Sequence, residues 1–230
     1  MDVYGSTSLV KRPYHHRDLR QALIRSALEI LAGSGIAALS LRGAARRAKV
    51  SAMAPYRHFA DKEALLAAVA EYGFRELATR LSGASAMASD PRAGLAAQGV
   101  AYVRFAREQP SLFRLMFGPT IERRSGHPAL NEAGNACFDA LRQAVTAAKF
   151  FKGGSQTDDV ALTCWSLVHG LSALILDGRL DEADLVAADA VAARLTHLLS
   201  DSLAALGKRT GGSRSSPKEP ALRKRQSASQ

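Results

Sequence analysis

Leu23, Ala27, Ile30 and Leu31 recur at i, i+4, i+7 and i+8 with polar positions between them. That spacing is one apolar stripe, and it predicts a first helix over residues 17–32. Gly33-Ser34-Gly35 follows, and glycine tolerates the left-handed turn that ends a helix. Ser40 then stands as an N-cap for a short second helix over 41–48. Lys49-Val50 makes a turn. Ser51 caps a third helix of about two turns, and Asp61 caps a fourth that opens Lys62-Glu63-Ala64-Leu65-Leu66. Pro55 falls near the first turn of the third helix, where proline costs about one hydrogen bond at most.

Downstream, polar breaks at 82–91, 118–128 and 152–157 separate helical stretches near 92–109, 111–117, 129–150, 158–178 and 182–206. CWSLVHGLSALIL is apolar almost all round and is expected to be buried on most sides. No apolar run is expected to approach the ~18 residues of a membrane span. From residue 207 the chain is poor in apolar residues and rich in Gly, Ser, Lys and Arg, as disordered segments are. The expected architecture is all-α: an irregular N-terminus (1–16), a helix-turn-helix unit (17–64), a larger helical body (65–206) and a disordered basic tail (207–230).

Composition narrows the function. Apolar residues make up 47% of the 230 positions and charged residues 23%, values ordinary for a soluble globular protein. The formal charge of +10 is unevenly placed. Residues 1–62 carry 11 Lys/Arg against 4 Asp/Glu, residues 63–206 carry 13 against 16, and residues 207–230 carry 7 against 1. A basic end module on a mildly acidic body suggests a polyanion as partner. Basic ends that merely aid solubility give the same pattern. Cys137 and Cys164 are far apart and form no CxxC pair, which fits a reducing cytoplasm. MDVYGSTSLVKRPYHHR has no apolar core of a signal peptide.

Catalysis finds no support. Cys164 and His169 are five apart, about 140° around a helix, so they do not share a face as nucleophile and base. HExxH, GxSxG and P-loop patterns are absent. His15-His16 is a weak metal signal, and neither a metal nor a cofactor is expected.

The run ALEILAGSGIAALSLRGAARRAKVSAMAPYRHFADKEALLAAV carries several diagnostic elements in order: Gly-x-Gly, Ser40-Leu41-Arg42, Val50-Ser51, Tyr56-x-His58-Phe59 and Asp61-Lys62-Glu63-x-Leu65. It resembles the DNA-binding domain of the TetR family of transcriptional regulators, across about 17–70. Phe113-Arg114-Leu115-Met116-Phe117 and Trp165-x-x-x-His169-Gly170 resemble the Trp-His-Gly type of C-terminal domain that some members carry, across about 85–200.

The resemblance implies double-stranded DNA as partner and a cytoplasmic, nucleoid-associated place in a bacterium. It implies DNA contacts by Ser40, Arg42, Ser51, Ala52, Met53, Ala54, Tyr56, Arg57, His58 and Lys62. Arg42 can reach a guanine edge or a phosphate. Ser51, Ala52, Met53 and Ala54 open the recognition helix; being small or apolar, they suit thymine methyls and leave specificity to Arg42 and DNA shape. Tyr56 and His58 can donate to phosphate oxygens. Arg57 adds a contact or sits in solvent. At Lys62 both the side chain and the helix N-terminus favour phosphate. Phe59 and Leu65 brace the helix from the core. Other readings stay open: Tyr56 and Phe59 both as core aromatics, His58 bonded to a backbone carbonyl, and Arg46, Arg47 and Lys49 as a solvated face.

By the same resemblance, residues about 158–206 supply a homodimer interface, with Leu171, Leu174, Ile175, Leu195, Leu198 and Leu199 at suitable spacing; packing within one subunit is the alternative. Trp165 and His169 share a helical face. With Phe105, Phe113, Met116 and Phe117 they form either an effector pocket for a small, largely apolar molecule, His169 its polar handle, or a packed core with a satisfied histidine. The expected function is a ligand-responsive repressor on a palindromic operator. The alternative is a nucleoid-type, sequence-nonspecific binder that relies on its basic ends. A regulator prefers one palindrome over random DNA by several kcal/mol, and a tail-driven binder does not.

Overall fold

A computed structural model describes residues 16–122, 126–151 and 156–212, and every regular element among them is helical. These elements are α1 (His16–Ala38), α2 (Leu41–Arg47), a 3-10 segment (Ala54–Arg57), α3 (Lys62–Ala86), α4 (Pro91–Glu108), α5 (Pro110–Phe117), α6 (Pro128–Ala148), α7 (Thr157–Leu176), α8 (Glu182–Val186) and α9 (Ala188–Gly212). The expectations for residues 1–15 and 213–230 lie outside the described residues.

The helix break expected at 33–35 is a kink. Gly35 sits at φ 75°, ψ 178°, and one further turn follows to Ala38. Ser40 caps α2, its Oγ accepting the Gly43 N–H at 3.0 Å. The end of α2 is closed by two reversed bonds, Lys49 N–H to Arg46 O at 3.2 Å and Val50 N–H to Ala45 O at 3.0 Å. Lys49 supplies the left-handed residue this closure needs, at φ 56°.

The third element corrects the expectation of a two-turn α-helix capped by Ser51. It is a 3-10 segment of four residues, with no side-chain cap. Ala54 N–H donates to Ser51 O at 3.0 Å, an i→i−3 bond. Pro55 has no N–H to continue an α ladder, and in an α-helix its ring would crowd the carbonyl of residue 51. The Pro55 carbonyl then accepts the N–H groups of His58 and Phe59, both at 2.9 Å. Asp61 restarts a true helix, its Oδ1 accepting the Ala64 N–H at 2.8 Å.

α3 is 25 residues long and carries the chain from head to body. The break expected at 82–91 shrinks to 87–90, and the line drawn at 64/65 falls inside this helix. Leu23, Leu31 and Phe59 of the head lie in one buried cluster with Leu65, Val69, Phe74, Leu77, Phe105 and Met116, so head and body share a core. α4 crosses the middle of the body and packs on α3, α6, α7 and α9. At its crossing with α9 a Cβ on Gly99 would lie 2.4 Å from the Thr196 methyl, so this approach requires glycine. A second cluster joins Leu95, Val145, Phe150, Val160, Cys164 and Leu203.

Two further expectations are corrected. The last helix is split into α8 and α9, and α9 continues to Gly212, through what composition assigns to the tail. Gly207 is a packing contact: a Cβ there would lie 1.8 Å from the Phe150 carbonyl oxygen. In addition, α7 is long and apolar enough, by length and composition, to cross a membrane, because its acids, Asp158 and Asp159, sit in its first turn. In this fold it packs on α4, α6 and α9, burying Val160, Ala161, Cys164, Val168, Leu171 and Ile175.

Candidate functional site

The head exposes several polar and cationic side chains in and around α2 and the start of α3. Arg42, second residue of α2, is exposed, as are Ser51, Ala52 and Met53 in the turn that follows. Met53 is 70% exposed and Tyr56 44%, while Phe59 is buried. The choice left open between these aromatics is thereby settled: Phe59 is core, with the Arg20 guanidinium 5.6 Å from its ring centre, and Tyr56 points outward. Ala54 and His58 are half-buried, and Arg57 and Lys62 exposed. Leu65 and Pro55 are buried beneath.

Ser40 Oγ accepts in the cap, which leaves its hydroxyl proton able to donate elsewhere. Arg47 pairs with Glu29, so it belongs to the solvated face. At α3 the Asp61 carboxylate already takes an N-terminal amide and adds a negative charge. The Lys62 side chain, more than the helix end, is therefore what offers charge there. The recognition residues open no helix; they form an exposed turn ahead of the 3-10 segment. Arg42, Arg46, Lys49, Arg57 and Lys62 make this face able to bind a polyanion.

The body holds a partly open cavity of about 380 Å³. Its wall comes from α3 (Phe74, Leu81), α4 (Gln98, Gly99, Tyr102), α5 (Phe117), α6 (Cys137, Phe138, Leu141), α7 (Cys164, Trp165, Val168) and α9 (Thr196, Leu199, Leu203). Of the six residues expected there, Phe117 and Trp165 line it. Phe105, Phe113 and Met116 do not; they fill the core that joins α4 and α5 to α3. Phe105 faces the Arg80 guanidinium at 5.3 Å, and Met116 sits where a Cβ on Gly73 would be. Gln98 and Tyr102 line the wall without having been singled out, because nothing in the local sequence around α4 marks them.

His169 stands behind the wall. Its Nδ1 is 2.8 Å from the Tyr102 hydroxyl, which also receives the Trp165 indole N–H at 3.2 Å. With the imidazole hydrogen on Nε2, Nδ1 accepts the Tyr102 proton, and this hydroxyl then has one donor and one acceptor partner. Phe113 stacks on the ring at 5.4 Å and 30°. Burial lowers the His169 pKa and raises that of Tyr102, so both stay neutral. Of the two readings left open for His169, the geometry favours the satisfied histidine, which ties α7 to α4 and does not line the cavity. Burial also pushes Cys137 up to about 12 and Cys164 up to about 11, which keeps both thiols protonated and poor nucleophiles at neutral pH. Among the described residues, no group of three or more His, Cys, Asp or Glu is placed to hold a metal.

Comparison with known proteins gives this geometry a family. Residues 23–69 match the model of bacterial regulatory proteins of the tetR family, and residues 95–208 match that of the tetracyclin repressor-like C-terminal domain. The chain belongs to the TetR family of transcriptional regulators. A protein of unknown function from Rhodococcus sp. RHA1 is 36% identical, covering 84% of this chain and 100% of its own, with a TM-score of 0.73. A tetR-family bacterial regulatory protein from Rhodococcus RHA1 (20% identity, 80% and 96% covered, TM-score 0.59) shares the fold. So does a putative TetR-family transcriptional regulator from Mesorhizobium loti MAFF303099 (15%, 84% and 98%, TM-score 0.65). No curated protein matches the chain.

For a TetR regulator the outer face of α7 and α9 is the remaining surface of interest. The six leucine-type positions expected at an interface divide. Leu174 and Leu198 are exposed, Leu195 and Leu199 half-buried, and Leu171 and Ile175 buried inside the subunit. Leu162 and Leu206 are exposed as well. Leu162, Ser166, Gly170 and Leu174 form one exposed i, i+4 row along α7. A Cβ on Gly170 would meet nothing within 4 Å, so packing inside the subunit does not demand glycine there.

Proposed function

We propose that the protein is a homodimeric, ligand-responsive repressor that binds a palindromic operator. One observation carries the reading. α3 begins with Lys62 on the cationic face and, roughly 18 Å further along, places Phe74 and then Leu81 in the cavity wall. A molecule in the cavity touches the same rigid element that positions the head. Differential affinity for two tilts of α3 would then shift the two heads of a dimer between matching and mismatching their half-sites. The exposed row on α7, with Leu198 and Leu206 on α9, is the face through which two copies meet. Arg42 reads bases, Ser51 to Ala54 lie against the groove floor, and Ser40, Tyr56, Arg57, His58 and Lys62 hold phosphates. A small apolar effector is the only added component, the protein acting in the bacterial cytoplasm without a cofactor.

The test is selection of bound sequences from a random duplex pool at near-physiological salt. It uses protein ending at Gly212, since α9 runs that far. Enrichment of one inverted repeat is expected. Tight binding without enrichment would replace this reading with that of a nonspecific binder.

A further inference from the structure

We infer that the cavity takes a neutral, largely apolar molecule bearing one hydroxyl, and that Gln98 reads that hydroxyl. The inference deepens the ligand-responsive reading and rests on it. A cavity of about 380 Å³ lies within the usual range of small-molecule pockets. Among the described residues, no Asp, Glu, Lys, Arg or His lines it. A charged ligand would leave its charge unpaired among aromatic and aliphatic walls, which is strongly unfavourable.

Gln98 stands out among the polar side chains of that wall, which also include Tyr102, Asn131, Asn135, Thr196 and Ser200. It is 5% exposed, it lines the cavity from α4, and its Oε1 is buried without a hydrogen-bond partner. A buried amide oxygen left unsatisfied is costly, and nearly all such groups in folded proteins have a partner. Three polar groups near it are already committed. The Tyr102 hydroxyl is held by Trp165 and His169, the Thr196 hydroxyl donates to backbone carbonyls of α9, and the Cys137 thiol faces the Phe74 carbonyl. The Gln98 oxygen is buried behind the cavity surface without a partner, so a turn of the amide brings an unused acceptor to a molecule in the cavity, and a hydroxyl is an uncharged donor that fits. An ether or alkane of the same shape would fill the space and leave the amide oxygen unpaired. That asymmetry gives polar pockets their selectivity for a donor.

The protein carries its own reporter, because Trp165 is its single tryptophan and lines the cavity. Three probes with the same number of heavy atoms isolate the chemistry: 1-octanol, 1-methoxyheptane and octylammonium. Each is titrated into the full chain and into Gln98→Met, following tryptophan fluorescence. In the unaltered protein 1-octanol is expected to bind about tenfold more tightly than the ether. In Gln98→Met that preference disappears. The Tm of the ligand-free variant stays level or rises, since the amide oxygen has no partner inside the protein to lose. An ether bound as tightly as the alcohol overturns the inference. So do preference for octylammonium, discrimination that survives in Gln98→Met, binding of none of the three, or a variant Tm that falls. The regulator reading is tested apart from this, by operator selection with no probe present. Failure there leaves the probe discrimination standing.

Discussion

In the head, Arg42, Tyr56, Arg57 and Lys62 stand in solvent over a packed layer of leucine, alanine, Pro55 and Phe59. In the body, Gln98, Tyr102 and Thr196 are shut inside walls of aromatic and aliphatic side chains. The same polar atoms do different work in these two settings. Exposed cations are screened, and each contributes little alone, so such a face acts by number and weakens steeply with salt. A polar group in a dry cavity acts singly, and one mismatch is felt in full. The head is thereby suited to a long polymer of repeated charge, and the body, in the function proposed above, to a small neutral molecule. α3 belongs to both settings.

The largest expected effect tests whether the two settings communicate across a second copy. Leu174→Glu with Leu198→Glu places charges on the exposed α7 and α9 faces, where neither leucine is buried within the subunit. The pair is expected to give monomers by sedimentation and to cut operator affinity about a hundredfold or more, because two linked heads become one. Near-native affinity in a monomeric variant would break the dimer reading. Gly170→Ala sharpens it: the methyl meets nothing inside the subunit, so a weaker dimer would place a close helix crossing at that glycine.

Next come the exposed cations. Arg42→Ala is expected to cost about 1–3 kcal/mol on the operator and to relax base preference. Lys62→Ala should weaken all sequences alike and lower the salt slope by about 1. A Lys62→Ala variant with unchanged affinity and slope would remove α3 from the DNA face, and with it the link to the cavity.

How far each region could be read from sequence follows from the same contrast. The head is written locally. Ser40 and Asp61 cap the helices they were expected to cap, and the motif residues lie within about twenty positions of each other. Its failure at the third element is also local: the pattern at Ser51 resembles a helix cap, but Pro55 brings no N–H to an α ladder and only a 3-10 turn forms. In the body the helices were legible from apolar period, whereas the cavity was not. Phe105, Phe113 and Phe117 are chemically alike, and only packing among α3, α4, α6, α7 and α9 decides that Phe117 alone meets the cavity. Trp165 and His169 do share a face, but the partner that fixes their role, Tyr102, arrives from another helix. Gly207 reads as a linker by composition and serves as a close helix contact.

A smaller effect separates stability from function inside the head. Lys49 holds a left-handed conformation that glycine adopts without strain. Lys49→Gly is expected to stabilise the protein by about 1 kcal/mol, raising Tm by roughly 2–4 °C. The same change removes a cation from the DNA face, so operator affinity should fall while stability rises. If both rise together, Lys49 contributes nothing to binding, and the cationic face is smaller than drawn here.

The smallest effect belongs to the body, and its sign follows from the neutral imidazole. Burial holds the folded-state pKa of His169 below its ordinary value, so between those two values the unfolded chain binds more protons than the folded one. The contribution of His169 is therefore complete above the ordinary histidine range and is lost as pH falls through it. Protonating Nδ1 also removes the acceptor for the Tyr102 hydroxyl, loosening the tie between α4 and α7. Comparing Tm at about pH 7 and about pH 5 in the unaltered protein and in His169→Asn isolates this term from His58, His127 and His197. Asparagine can keep an acceptor near the Nδ1 position but does not titrate. The acid-side loss of Tm is expected to be smaller in His169→Asn. Equal losses in the two proteins would mean that the Trp165–Tyr102–His169 chain is indifferent to protonation, and that the body, unlike the head, does not sense charge at this place at all.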